Sequence, residues 1–286
     1  MSRMFLFVCW YFCFAAVMAQ NKQGFTFSPP TSANLDKATV VDTGYLRISY
    51  AFNADSIDNI NTYIDLQCLE IGNNISKYYS RFVSNSDSLC HIWRKEHPKA
   101  QNLPRWLGEG GRYKNRWSEY QFSEIFKTAK DLTVYSRMPM YFNRNDSWHT
   151  EAYPLQQWKI DADTLSVCGY LCQKAVCRFR GRDFIAWFSP EIPINNGPWK
   201  FGGLPGLILK LYDKDKLYTF ECVSIEQFNF PIKKNDYSKY KKAERKELLK
   251  LQRQLNENYP RMIGARDSKT KRPVSKFTPY EPLELE

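Results

Sequence analysis

From residue 39 to residue 226, apart from 84–118, the chain is largely a series of short strand-like runs bounded by turn-forming Asn, Asp or Gly. A period of two turns one face of each run toward a core and the other toward solvent, the pattern of antiparallel strands. Residues 39–52, "TVVDTGYLRISYAF", show it plainly: Leu46, Ile48 and Tyr50 share one side, and Tyr45, Arg47 and Ser49 the other. Residues 63–72 and 75–83 flank Asn73 and Asn74, which suit a tight hairpin turn. Further strands are expected at 119–127, 131–142, 151–161, 164–180 and 183–189, with a turn at Gly181. A hairpin of 207–212 with 217–226 closes around "DKDK". Residues 84–118 are polar and irregular and read as a long loop.

Helical spacing is convincing only at 238–258, where Leu248, Leu251 and Leu255, followed by Tyr259, form one apolar stripe among Lys and Arg. Pro260 is expected to end this helix, which would lie over the mouth or edge of the sheet. The expected fold is therefore mainly β: a curved antiparallel sheet or open half-barrel with a C-terminal amphipathic helix. At the level of fold this pattern is similar to the lipoprotein carriers of the periplasm. Residues 20–231 are read as the β domain, and 232–286 as a basic helical region and tail packed on it.

The chain opens with Arg3, an uncharged apolar run from Met4 to Met18, and small side chains at Val17 and Ala19. These are the parts of a secretory leader spanning residues 1–19, with cleavage after Ala19. An apolar core of roughly fifteen residues is short for a bilayer span of about twenty. The formal charge of +11 invites a nucleic-acid reading until it is mapped. Residues 232–276 carry fifteen Lys or Arg against five Asp or Glu, whereas 20–231 are nearly balanced. Export and a near-neutral body oppose nucleic-acid binding, and leave peripheral contact with an anionic membrane as a role for the basic helix.

Residues 197–209, "GPWKFGGLPGLIL", are the most demanding stretch. Pro198 and Pro205 restrict φ, while Gly202, Gly203 and Gly206 permit positive φ. With Gly197 and Leu204 they specify a compact corner leading into an apolar strand. A phosphate loop is excluded, because Gly203 and Leu204 stand where its Lys and Ser/Thr belong. No G-x-S-x-G elbow occurs, and His91, His97 and His149 form no metal motif with Cys90 or with each other. No catalytic residue, metal ligand or cofactor is assigned, and a non-enzymatic protein is expected. Six cysteines lie beyond the leader: Cys68, Cys90, Cys168, Cys172, Cys177 and Cys222. An even number in an exported chain favours disulfides. On one continuous strand Cys168 and Cys172 would stand about 13 Å apart, too far for one bridge.

"YLCQKAVCRFRGRDFIAWFSPEIPINNGPWKF", followed by "GLPGLIL", resembles the GLPGLI family of exported proteins from Gram-negative Bacteroidota. "EIGNNISKYYS", "PLQQWKID" and the terminal "PYEPLELE" extend the resemblance over most of the chain. It implies export to the periplasm or outer envelope and a β-rich fold, with no assigned reaction. It also implies a disulfide through Cys172, its partner left open, with Cys168 and Cys177 outside the family pattern. The expected role is to bind an apolar or amphipathic ligand, such as a lipid, in the curved sheet. Trp199, Phe201 and Trp187 are candidate apolar contacts, and Arg180, Arg182 and Lys200 candidate anchors for an anionic group. The alternative is an accessory or structural envelope protein that docks through a sheet edge or the basic C-terminal region.

Overall fold

The computed structural model describes residues 30–103, 117–153, 156–274 and 276–286. The leader reading lies outside these residues, as does much of the stretch read as a long loop. The strands are β1 (Thr39–Ala54), β2 (Tyr63–Gly72), β3 (Ser76–Ser80), β4 (Ser123–Lys127), β5 (Asp131–Ser136) and β6 (Ser147–Ala152). They continue as β7 (Lys159–Val167), β8 (Tyr170–Phe179), β9 (Arg182–Ser189), β10 (Leu207–Asp213), β11 (Thr219–Lys234) and β12 (Lys241–Lys242). Two helices, α1 (Arg81–Glu96) and α2 (Arg245–Met262), accompany them. No helix among the described residues is long and apolar enough to cross a membrane.

All twelve strands form one open sheet in the order β12-β6-β5-β4-β3-β2-β1-β11-β10-β9-β8-β7. Pairing is antiparallel throughout, except that the two residues of β12 run parallel to β6. β6 and β9 are eight places apart in this order, about 38 Å at the usual strand spacing if the sheet were flat. Yet Arg180, in the turn before β9, reaches Glu151 of β6 at 2.5 Å. The sheet must therefore curl until its two wings meet. Inside the curl, Ile48, Tyr50 and Phe52 of β1 share one core with Phe184 and Phe188 of β9.

Several strand expectations hold, but 151–161 is not one strand, since β6 ends at Ala152 and β7 begins at Lys159, and the strand expected over 131–142 stops at Ser136. The hairpin at Asn73 and Asn74 forms, with Ile71 paired to Ser76. Residues 164–180 are not one strand: the chain turns at Cys168 (φ 50°) and Gly169 (φ 84°). Two successive positive φ values in a two-residue loop match the right-handed twist of the flanking strands. Residues 81–96 are helical, where a strand end and a loop were expected. Ser80 caps that helix by accepting a hydrogen bond from the Val83 amide, and the helix buries Phe82, Val83 and Asp87. So small an apolar stripe gives little periodic signal.

The stripe of α2 is spent on packing. Leu248, Leu255 and Tyr259 are buried against Val83, Trp117, Phe122 and Met138. Pro260 does not end the helix but lies within its last turn, and the geometric break falls at Asn258 (φ −131°, ψ 19°). The proline ring crowds the carbonyl four residues before it and donates no hydrogen bond, so the break lands upstream. Leu255→Ala should cost about 3 kcal/mol in urea unfolding, and Leu251→Ala, at a half-buried position, clearly less.

Candidate functional site

The connection between β9 and β10, residues 190–206, crosses the interior of the curl and contains the Gly- and Pro-rich motif. Its backbone is held by side chains from distant segments. Lys127 of β4 donates from Nζ to Asn196 Oδ1 (3.0 Å), to the Gly197 carbonyl (2.8 Å) and to the Phe201 carbonyl (3.2 Å). Tyr153 donates to the Phe201 carbonyl (3.1 Å), and Trp158 Nε1 to that of Gly202 (2.7 Å). Gln156 donates to the Lys200 carbonyl at 3.2 Å and accepts from the Gly202 amide at 3.3 Å. Asn196 in turn donates to Ser76 Oγ of β3 at 2.8 Å. Burial pulls the Lys127 amine well below the ordinary lysine pKa, and its three acceptors use every proton the ammonium can donate.

Local conformation explains the composition in part. Of the motif glycines only Gly203 has a positive φ, +87°, while Trp199 takes an unusual +49°. Gly206 is required by space instead: a Cβ there would strike the backbone carbonyl of Ser189.

Lys200 is the electrostatic centre. Only 3% exposed, it bonds through Nζ to both Glu151 of β6 and Glu284 of the C-terminal segment. Arg180 meets Glu151 at 2.5 Å and Glu284 at 3.8 Å, and Arg245 of α2 meets Glu284 at 2.5 Å. His149 Nε2 adds a 3.2 Å contact to Glu151. Desolvation alone would raise the Glu151 pKa, but hydrogen bonds from His149 and Lys200, with the Lys200 charge, hold it far below the carboxylate range. Arg182 grips the same terminal segment through Glu281 (3.0 Å) and the Pro282 carbonyl (2.6 Å), and meets Asp213 at 3.4 Å.

Of the three cations singled out from the sequence, Arg180 and Lys200 converge on Glu151 and Glu284, far away in the chain, whereas Arg182 pairs separately with Asp213 and Glu281. Trp199 and Phe201, expected as ligand contacts, are interior side chains instead; Phe201 is fully buried and stacks edge-on with Phe179 and Phe184. Trp187 is half-buried, and its indole nitrogen has no hydrogen-bond partner among the described residues. Missing from the sequence reading were Lys127, Glu151, Glu284 and Arg245. Only Glu284 carried a signal, as part of the terminal segment that bears the resemblance. Cys172 is a buried free thiol.

Outside this clamp a cleft of about 610 Å³ opens between α2 and the C-terminal segment. Arg180, Arg245, Lys246 and Arg253 line it, with Leu249 and Leu285 supplying apolar surface. Arg180 Nε is buried and makes no hydrogen bond among the described residues, its nearest charge being Glu284 at 3.8 Å. Among the described residues no cluster of His, Cys, Asp and Glu is arranged to hold a metal ion.

A family described as "Protein of unknown function (Porph_ging)" matches residues 180–210, which comprise the β9 hairpin arm and the motif. No curated protein matches the chain. Among solved structures, it is similar to PNGF-II in two crystal forms, P21 and C2, at 14% and 13% identity and a TM-score of 0.44 in each. The match covers 74% of this chain and 33% of PNGF-II, so the chain spans about a third of that protein's length.

Lys200→Met would remove the most buried cation of the cluster and leave Glu151 and Glu284 to Arg180 and Arg245, and should cost about 3 kcal/mol in chemical denaturation. Adding Glu284→Gln should recover part of that loss. The depressed Glu151 pKa contributes stability that is complete above the ordinary carboxylate value near 4.3 and lost as pH falls toward the folded value. Thermal stability should therefore drop below about pH 4, and Glu151→Gln should flatten that acid limb.

Proposed function

We propose that this chain is an exported, non-enzymatic envelope protein of the GLPGLI kind that holds a small amphipathic anion in the cleft between α2 and the C-terminal segment. The observation that carries this reading is the cleft itself. Its volume of about 610 Å³ falls within the range of small-molecule sites, and it pairs four cations with an apolar floor. Arg180 and Arg245 are paired with Glu151 and Glu284, and Arg253 with Glu257 at 2.9 Å, so a bound anion would share these cations with carboxylates and gain Lys246 beside them. The interior of the curl is filled by the motif loop and its rings, so a ligand is better accommodated outside it than within.

Dodecyl phosphate and dodecanoate are suitable probes, with dodecyl maltoside as the uncharged control. Calorimetric titration should show saturable one-to-one binding of the anions that weakens with salt, and about a tenfold loss with Lys246→Glu and Arg253→Glu together. Equal affinity for the uncharged detergent, or no binding of either anion, would remove the proposal.

A second reading, docking to another envelope protein through a sheet edge, draws on β7, whose residues from Lys159 to Ser166 are all exposed. Its charges at Asp161 and Asp163, and its register shift between Ile160 and Thr164, are features that discourage edge pairing, so this reading ranks second.

A further inference from the structure

The connection from β5 to β6, residues 137–146, lies beside β12 at one end of the sheet. It folds as a 3-10 turn over Met140–Asn145 and is firmly held. Asp146 accepts from the Met138 amide at 2.6 Å, and the Arg137 carbonyl accepts from Trp117 Nε1 at 2.8 Å. The Phe142 ring packs 6.1 Å from that of Tyr259 in α2. Anchored in this way, the turn still leaves Tyr141 67% and Met140 45% exposed. β12 runs alongside: the Lys241 amide donates to the Asp146 carbonyl at 3.0 Å, and the Lys242 ammonium stands 5.7 Å from the centre of the Trp148 ring. Residues 140–146 and 237–243 together hold Arg144, Lys239, Lys241 and Lys242 against one carboxylate, Asp146, which is engaged with the Met138 amide. All four cations are exposed, and Arg144, Lys241 and Lys242 form no ion pair among the described residues. The next carboxylates, Glu244 and Glu247, belong to the start of α2.

We propose that this turn and the lysines of β12 are where the protein rests on an anionic phospholipid bilayer. Tyr141 and Met140 enter the headgroup region, while Arg144, Lys239, Lys241 and Lys242 lie over the lipid phosphates. This contact goes beyond ligand binding in the cleft and does not depend on it. The basic helix expected in that role cannot insert its apolar stripe, which is buried against Val83, Trp117 and Phe122. A bilayer suits the footprint better than a protein does. A stable protein interface buries about 800 Å² on each partner in complementary relief. Met140 and Tyr141, on a turn of 6 residues, offer far less apolar surface than that. A membrane surface asks for no matching relief: tyrosine rings settle at headgroup level, and basic side chains on long stems are drawn to a negative leaflet. The charge of the patch, four exposed cations around two apolar side chains, is complementary to such a leaflet.

Co-sedimentation with extruded vesicles tests this, using the full chain and the same chain begun at Gln20, which removes the apolar run of residues 4–18 as a source of binding. The Gln20 form should partition about tenfold more strongly onto vesicles of equal parts phosphatidylglycerol and phosphatidylcholine than onto phosphatidylcholine alone. That preference should fade as salt rises from about 0.1 M to about 1 M and the Debye length falls from about 10 Å to about 3 Å. Lys239→Gln, Lys241→Gln and Lys242→Gln together should cost about tenfold on the anionic vesicles, and Tyr141→Ala about threefold with the salt dependence kept. Both losses should be the same in the full chain. Glutamine at three exposed lysines elsewhere, Lys159, Lys214 and Lys269, should change binding less than about twofold. The cleft variant, Lys246→Glu with Arg253→Glu, should keep its preference for the anionic vesicles, which separates failure of the cleft reading from failure of this one. Should the β12 variant fail to fold, Tyr141→Ala with Arg144→Gln, both at exposed positions, carries the test. Equal partition onto neutral and anionic vesicles overturns the proposal, as does unchanged binding by the β12 and Tyr141 variants, or an equal loss in the control with lysines changed elsewhere. No binding to either vesicle overturns it too, and leaves the turn to a protein partner.

Discussion

An open sheet of twelve strands has no ladder to join its ends, so whatever keeps it curled must come from side chains. Here that task falls to a buried ammonium held between two carboxylates. Lys200 binds Glu151 from one wing of the sheet and Glu284 from the C-terminal segment, and Arg180 brings in the other wing. Charges removed from water are costly unless paired and hydrogen-bonded, which makes this contact strongly dependent on geometry. A shift in any of its elements would strand a charge in the interior.

The motif loop owes its conformation to the same logic. Its carbonyls point inward, away from solvent, and each needs a donor. Lys127, Tyr153, Trp158 and Gln156 supply donors from four separate positions. The four sequence segments that carry the family resemblance meet at this point. Ser76 comes from the first, Gln156 and Trp158 from the second, the loop from the third and Glu284 from the last. Their common feature is a shared set of hydrogen bonds and ion pairs around one corner. The cationic cleft lies just outside, where Arg180 and Arg245 belong both to the clamp and to the lining. Binding there would consequently be coupled to the contact that keeps the wings together.

Legibility differed sharply between elements. β1, with alternating buried side chains from Leu46 to Phe52, and the apolar stripe of α2 could be read directly, because burial on one face imposes its period on the sequence. α1 could not: its buried side includes Asp87, which is stabilised by Arg137 at 2.8 Å, a partner fifty residues away. The turn at Cys168 was hidden because Val167, Cys172 and the residues between them suit a strand as well as a hairpin. At the site, aromatic and cationic residues were found but their roles were not. Trp199 and Phe201 have the side chains of a ligand pocket and also those of a core, and only the path of the loop distinguishes the two.

From the sequence alone came the β class, most strands, the C-terminal helix and the corner at residues 197–206, since each depends on periodicity or backbone preference within a few residues. The tertiary structure decided that the open sheet curls until its wings meet, and that Lys200 faces inward between Glu151 and Glu284. The physical reason is one of range. Backbone and burial preferences are written locally, whereas an ion pair or a carbonyl's donor is chosen only when segments dozens of residues apart arrive at the same place.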